Sequence, residues 1–253
     1  YGETGNAPKE ILVEEALPEQ ELVEEYLSEI SGRSVRVSVP RKGDKKALLD
    51  LARRDVTEMA KTIDERTRAA RERGEALSEA IGRALADLGY SLPAPDGRPY
   101  RAEAYDISNT NGVDSVGAMV VYEGAKPVKK DYRRFKIRTV EGPNDYGSLQ
   151  EVIYRRFRRA EAGDPGFSHL PDFLLMDGGR GQVSAVRQIL AAMKIDIPVI
   201  GMAKDDHHRT RALVSESGEE IELSSRPLLF RYVGTVQEEV HRFAIEYHRQ
   251  LRS

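Results

Sequence analysis

The sequence predicts a mixed α/β sheet flanked by helices, preceded by a smaller α+β N-terminal subdomain that contains a long helix. Three observations support this fold class. A helical pattern of apolar residues runs over about Asp44–Leu88, and strand-like runs alternate with helical patterns after Tyr100. Between them, Ser91–Pro99 holds three Pro and one Gly, which is typical of a linker. We therefore expect one domain over residues 1–95 and a second over residues 96–253.

The N-terminal subdomain is expected to begin with a short strand at Glu10–Val13. A helix should follow Pro18, because apolar residues recur at helical spacing over Leu22–Ile30. Valines alternate with polar residues over Val35–Val39, which predicts a second strand before the long helix begins.

In the second domain, three strand-like runs joined by short turns predict an antiparallel meander. The expected strands are Tyr100–Ile107, Val116–Glu123 and Val128–Ile137. The elements expected next are a helix at Tyr146–Arg159, a strand at Phe173–Met176, a helix at Gly181–Met193, a strand at Pro198–Met202, a hairpin of Ala212–Val214 with Glu220–Leu223, and a helix at Gln237–Leu251. This order is typical of a mixed sheet with helices packed on it.

The composition excludes several kinds of site. Because the chain has no Cys, it has no disulfide, thiolate nucleophile or thiolate zinc site, and a metal ion would need Asp, Glu, His or carbonyl ligands. Such ligands favour magnesium or manganese. No apolar stretch approaches the roughly 20 residues of a membrane span, and the first residues lack a signal-peptide pattern. We therefore expect a cytoplasmic protein with no membrane partner.

The net charge of −3 is unevenly distributed along the chain. Residues 1–30 carry nine Glu and one Lys, a charge of −8, so residues 31–253 carry +5. The basic charge is concentrated further, since residues 126–138 alone carry +6. Such a run binds nucleic acid in some proteins and is only a solvated face in others, and the composition leaves both possibilities open.

Two aspartates lie where predicted strands end, which is the usual position of ligand-binding residues in an α/β sheet. Asp106 ends the first strand of the second domain, where an ionised carboxylate is costly unless a cation or hydrogen bonds compensate it. The structural alternative is an Asp bonded to the turn Thr110–Gly112. Asp177 follows the strand Phe173–Met176 and opens a glycine-rich turn, which either suits a phosphate or simply leads into a capped helix.

The predicted C-terminal helix offers a third group. His241 falls at the edge of the apolar stripe, where it either faces the sheet or packs at the helix edge, and Glu238 is a competing ligand one turn away. Two carboxylates and such a helix-borne ligand can hold one or two divalent ions against a phosphodiester. Basic residues beside them would hold the nucleic-acid backbone.

Five segments carry a more specific pattern: Tyr105–Asn109, Gly142–Tyr146, Leu175–Gln182, Gly201–Lys204 and Glu239–Ile245. In order and approximate spacing they resemble the C-terminal half of the bacterial UvrC family. The resemblance extends back through Pro8–Leu12 and Leu17–Gln20, so it covers nearly the whole chain. It implies an RNase H-like, metal-dependent endonuclease of nucleotide excision repair that cuts DNA 5′ to a lesion.

The resemblance implies that Asp106, Asp177 and His241 form the catalytic set, with Mg²⁺ or Mn²⁺ as cofactor, and that Asp145 is a further functional acidic residue. We assign both aspartates as metal ligands, His241 as a ligand or proton-transfer residue, and Asp145 as a ligand or a supporting group. Lys204 is expected to contact phosphate or orient Asp177, unless it is an ordinary surface lysine. The residues expected to contact DNA are Lys129, Lys130, Arg133, Arg134, Arg180, Gln182 and Lys204.

The implied partners are damaged double-stranded DNA, UvrB and the UvrA-loaded UvrB–DNA complex. The sequence departs from the family at Asn109, where many relatives have His, and at Gln237-Glu238, where Arg-Asp is common. The GIY-YIG nuclease domain, the UvrB-binding segment and the helix-hairpin-helix motifs of the family have no counterpart here, so we expect a fragment. Two other interpretations are a non-catalytic DNA-binding or scaffold module and a phosphate-binding metabolic enzyme.

Overall fold

The computed structural model describes residues 6–93, 95–108, 115–140, 142, 144–205 and 209–252, with the backbone alone over residues 247–252. The chain divides into two compact units, one up to Ala70 and one from Arg71. Within the described residues, no helix combines the length and apolar character needed to cross a membrane.

The first unit contains a small parallel sheet. Strand β1 (Glu10–Leu12) pairs with β2 (Arg36–Ser38), and helix α1 (Gln20–Ser31) connects them. A parallel pair needs such a crossover connection. The Glu24 carboxylate accepts a hydrogen bond of 2.6 Å from the Val37 amide, which ties α1 to β2. These elements confirm the predicted strand, helix and strand.

Helix α2 (Asp44–Asp87) confirms the predicted long helix and extends from the first unit into the second. Its first half is mostly exposed, whereas Leu77, Ile81 and Leu85 near its end are buried in the core of the second unit. The two compact units therefore divide within α2. The domain boundary expected between residues 95 and 96 stays a prediction.

The second unit is built on a mixed sheet of eight strands among the described residues. They are β3 (Arg101–Ser108), β4 (Val116–Glu123), β5 (Lys126–Pro127), β6 (Arg133–Lys136), β7 (Phe173–Met176), β8 (Val199–Lys204), β9 (Thr210–Val214) and β10 (Glu220–Glu222). The order across the sheet is β10-β9-β8-β7-β3-β4, and β5 and β6 both pair with the free side of β4. Strand β7 pairs in parallel with β3 and with β8, and the other pairs are antiparallel.

Helices cover both faces of this sheet. Helices α3 (Asp145–Glu161) and α4 (Arg180–Ala192) pack on one face, and α5 (Pro227–Arg252) packs on the other with the end of α2. Each face has its own cluster of buried apolar side chains. On the α3 side, Arg156 and Glu103 form a fully buried ion pair of 2.6 Å. The predicted fold class is confirmed.

The strand expected at Val128–Ile137 is wrong as a single element. A 3-10 turn at Lys129–Asp131 separates β5 from β6. The physical reason is an ion pair, in which Asp131 Oδ2 lies 2.7 Å from Arg101 Nη2 on β3. This contact draws the chain at Asp131 out of the extended conformation. The basic run that includes this turn therefore lies partly on a tight turn and partly on a strand.

Helix α5 is longer than predicted. It begins at Pro227 rather than near Gln237. Proline is favoured in the first turn of a helix, because no intrahelical partner is needed there for its missing N–H. Buried Leu229, Val233 and Val236 continue the apolar stripe back toward the start of the helix at helical spacing. This signal is present in the sequence, and the prediction missed it.

Candidate metal centre

Strands β3, β7 and β8 each present a row of side chains to α5, and each row ends in a polar side chain. Alternate residues of a strand point to the same face of a sheet. The rows are Ala102, Ala104 and Asp106 in β3, Phe173, Leu175 and Asp177 in β7 and just beyond it, and Ile200, Met202 and Lys204 in β8. Because the three strands run in the same direction, the polar members meet at the carboxyl edge of the sheet.

Helix α5 brings two more side chains to this edge. His241 Nδ1 lies 3.1 Å from Asp106 Oδ2, and Gln237 Nε2 donates to Asp177 Oδ1 at 2.7 Å. Residues four apart lie on one face of a helix, about 6 Å apart along its axis, which is close to the roughly 4.8 Å between neighbouring strands. One turn of α5 therefore contacts both aspartates.

The candidate metal centre consists of Asp106, Asp177 and His241. One ligand atom from each residue lies within 4.8 Å of the other two. The side chains are 11%, 3% and 57% exposed, respectively, so two buried carboxylates lie beneath an accessible imidazole. Carboxylate oxygens suit Mg²⁺ or Mn²⁺, and none of these three residues is a soft thiolate or thioether ligand. The residues therefore fit the implied metal ion.

The charge balance of the site also favours a cation. Burial, together with the negative charge of Asp177, raises the pKa of Asp106 to about 6. The hydrogen bond to His241 and the charge of Lys204 oppose this rise without cancelling it. At neutral pH the Asp106 carboxylate thus holds negative charge in a poorly solvated place beside Asp177, and a bound cation would stabilise it.

Lys204 compensates part of this charge. Its Nζ lies 2.8 Å from Asp177 Oδ1 and 3.0 Å from Oδ2. The expected contact between Lys204 and Asp177 is therefore present. A contact between Lys204 and DNA stays a prediction.

The sequence suggested two further acidic residues as ligands, Glu238 and Asp145. Neither belongs to this group of ligands among the described residues. Glu238, the competing ligand, is exposed on α5. Asp145 lies in the first turn of α3, and its functional role stays a prediction. Residues 109–114, which include Asn109 and the turn expected at Thr110–Gly112, lie outside the described residues.

The glycine-rich turn after β7 is packed closely against its neighbours. A Cβ on Gly201 would lie 2.5 Å from the carbonyl oxygen of Gly178, and one on Gly178 would lie 2.4 Å from Cδ of Gln182. The Gln182 side chain therefore folds over the turn, and Arg180 donates to the carbonyl oxygen of Glu216 at 3.0 Å. Backbone packing accounts for Gly201, whereas a Cβ on Gly179 would meet no neighbouring atom within 4 Å. The DNA contacts of Arg180 and Gln182 stay predictions.

The predicted DNA-binding run divides into two groups. Arg133 donates to three backbone carbonyl oxygens, and the guanidinium of Arg134 lies 4.0 Å from the ring centroid of Phe243 on α5. Lys129 and Lys130 are exposed on the turn between β5 and β6. The two lysines therefore keep accessible charges, whereas the two arginines make contacts within the protein.

Gln237 is a site residue that in the sequence stands out only as a departure from the family pattern. It is buried and contacts Asp177. Its position four residues before His241 is the signal that could have identified it, because such spacing places both side chains on one face of the helix.

A mixed sheet covered by helices, with aspartates near the ends of its central parallel strands, is typical of an RNase H-like fold. The model of the UvrC RNAse H endonuclease domain matches residues 93–245 of this chain, and that of the UvrC Ribonuclease H-like domain matches residues 1–62. The chain belongs to the UvrC family.

Among similar proteins, UvrABC system protein C of Alkaliphilus metalliredigens is 45% identical, and that of Clostridioides difficile is 44% identical. Both alignments cover 100% of this chain but only 41% and 39% of those proteins, so the chain spans about two-fifths of their length. The crystal structure of human ENDOV is similar over 70% of this chain and 100% of that one, with 14% identity and a TM-score of 0.42.

Proposed function

We propose that the chain is a divalent-metal-dependent endodeoxyribonuclease that hydrolyses a phosphodiester on the 5′ side of a lesion during nucleotide excision repair. The observation that carries the proposal is the candidate metal centre, in which ligand atoms of Asp106, Asp177 and His241 lie within 4.8 Å of one another. Membership of the UvrC family supports the same function.

Each residue of the site has a separate part in this chemistry. Asp106 and Asp177 would hold the metal ion, which would supply an activated water and stabilise the leaving oxygen. Lys204 balances the charge of Asp177 and keeps its carboxylate oriented. Tyr105 and Met176, which directly precede the two aspartates, are buried in a core and limit the movement of both carboxylates.

His241 is suited to hold or transfer a proton. Hydrogen bonding between its Nδ1 and ionised Asp106 requires the proton on Nδ1, which leaves Nε2 as the basic atom. The ring is more than half exposed, so Nε2 can reach a substrate or serve as the third ligand. Asp106 thus fixes the tautomer of His241 as well as binding metal.

The proposed substrate is damaged double-stranded DNA. Lys129 and Lys130 offer exposed charge for its phosphates. Across the sheet, Arg134 pairs with Ala118, which pairs with Asp106, so the backbone of Arg134 lies about 10 Å from that of Asp106 by two strand spacings. The turn that carries Lys129 and Lys130 directly precedes the strand of Arg134. The partners proposed from the relatives' names are UvrB and the UvrA-loaded UvrB–DNA complex, in the bacterial cytoplasm.

Nicking of a supercoiled plasmid tests the proposal. We expect Mn²⁺ or Mg²⁺ to support nicking by the chain, and excess chelator or Asp177→Asn to abolish it. Asp172→Asn is the matched control, because Asp172 lies at the other end of the same strand, where it pairs with Arg98. Cleavage that persists in chelator or in folded Asp177→Asn would refute the proposal. DNA binding without any nicking would support a scaffold module instead.

A further inference from the structure

We propose that Gln237 is a positioning residue that sets the orientation of Asp177 for metal binding, through an amide that Thr210 holds in place. The inference rests on the proposed function. Gln237 is 4% exposed and lies on α5 beside the ends of β7 and β8. Its side chain contacts Asp177 at the end of β7 and Met202 in β8.

Both N–H groups and the carbonyl oxygen of the Gln237 side-chain amide make hydrogen bonds. Nε2 donates to Asp177 Oδ1 at 2.7 Å and to the carbonyl oxygen of Met202 at 3.0 Å. Oε1 accepts a hydrogen bond from the Thr210 hydroxyl. Because a side-chain amide has two N–H donors, both are occupied, and one of them is aimed at the carboxylate.

This arrangement determines which way the amide points. If the amide were flipped, Oε1 would face the Asp177 carboxylate and the Met202 carbonyl, and three acceptors would lie together in a buried place. The Thr210 hydroxyl can either donate or accept, and it fits the observed orientation as the donor to Oε1. The Met202 carbonyl, which can only accept, therefore favours the orientation in which Gln237 donates to Asp177, and the Thr210 hydroxyl holds Oε1 in that orientation.

The geometry also separates Gln237 from the metal ligands. Its side-chain oxygen accepts a hydrogen bond from Thr210, so the atom that faces Asp177 is Nε2. Nε2 is a hydrogen-bond donor and cannot coordinate a cation. It acts on Asp177 instead, and residues that orient a ligand in this way commonly change metal affinity by about 10–100-fold. Asp177 is held from two sides, by Gln237 from α5 and by Lys204 from β8.

Mn²⁺ binding to the metal-free chain, measured by titration calorimetry, tests this assignment apart from catalysis. We expect Gln237→Leu to weaken Mn²⁺ affinity by about tenfold or more. Thr210→Val should weaken it less, and should add little to Gln237→Leu, since both act through one amide. The matched control is Gln150→Leu, because Gln150 bonds to the Ala185 carbonyl between α3 and α4, away from the site.

Nicking by Gln237→Leu should need more Mn²⁺ but approach the wild-type rate at saturation, because all three ligands remain. Wild-type Mn²⁺ affinity in folded Gln237→Leu would overturn the assignment. If that variant does not fold, Thr210→Val decides, and unchanged affinity there would overturn it. Fully additive losses in the double variant would also contradict it. A wild-type chain that binds no Mn²⁺ would instead refute the proposed function.

Discussion

Asp106→Asn should stabilise the metal-free protein while abolishing its activity. Burial and the neighbouring charge of Asp177 raise the pKa of Asp106 from its ordinary 3.8 to about 6. A raised carboxyl pKa means that ionisation is less favourable in the folded than in the unfolded state. Folding stability is therefore lost as the pH rises from about 4 to about 6, and it stays lower at neutral pH. Asparagine keeps the shape of the side chain without the charge.

The size of the gain follows from the pKa. A shift of about 2 units corresponds to roughly 3 kcal/mol, because each unit is worth about 1.4 kcal/mol. The Asp106 side chain is only 11% exposed, so solvent screens little of this effect. The hydrogen bond to His241 is weaker with a neutral amide, which reduces the gain in the free energy of unfolding to about 2–3 kcal/mol. For a unit of this size, such a gain raises the unfolding midpoint by roughly 5–10 °C.

Thermal and urea unfolding in excess chelator, at about pH 7.5 and pH 4, would measure the effect. The gain should be present at the higher pH and nearly absent at the lower, where Asp106 is already protonated in the wild type. The control is Asp172→Asn: burial opposes ionisation of Asp172, but hydrogen bonds from Arg98 and the Arg101 amide outweigh it and lower its pKa. That variant should be destabilised at neutral pH. A loss of stability in metal-free Asp106→Asn at pH 7.5 would refute the reasoning.

Four further results are expected. Mn²⁺ should raise the unfolding midpoint more at pH 7.5 than at pH 5, because protons compete for the buried carboxylate, and equal shifts would contradict this. His241→Ala should slow nicking at least about a hundredfold with little change in thermal stability, and near-normal cleavage would remove it from the site. Neutralising Lys129 and Lys130 together should weaken DNA binding and reduce its salt slope by about 2, whereas an unchanged slope would mark a solvated turn. Arg156→Ala should cost about 3–5 kcal/mol in urea unfolding, because Glu103 is left buried without its partner, and a loss below about 1 kcal/mol would count against that account.

The order of elements was predictable because most of them carry a local signal. Apolar periodicity marks α1, α2 and the central strands, and Gly or Pro marks their ends. The interrupted strand at residues 128–137 was not predictable, since it depends on the ion pair between Asp131 and Arg101, thirty residues away in sequence. Local pattern cannot show which charge will be drawn inward by a distant partner.

The candidate site was predictable to the extent that it depends on strand ends. Asp106 lies near the end of β3 and Asp177 directly follows β7, so their meeting at one edge follows from the parallel pairing of these strands. The contact of Gln237 with Asp177 depends instead on the rotation of α5 over the sheet, which no local pattern specifies. The same holds for Arg134, whose partner Glu246 is 112 residues away. A run of positive charge therefore overstates how many charges remain accessible to DNA.

Because side chains alternate between the two faces of the sheet, the direction in which Asp106 and Asp177 point depends on the number of residues in each strand more than on which apolar residues precede them. Deleting or inserting one residue within β7 would turn Asp177 toward the face covered by α3 and α4, where Met176 now packs. Many apolar substitutions along the same strand would leave the carboxylate pointing the right way. Changes in length should thus be tolerated in the loops beyond the strand ends but not within β3 or β7, where the spacing sets which face the carboxylate occupies.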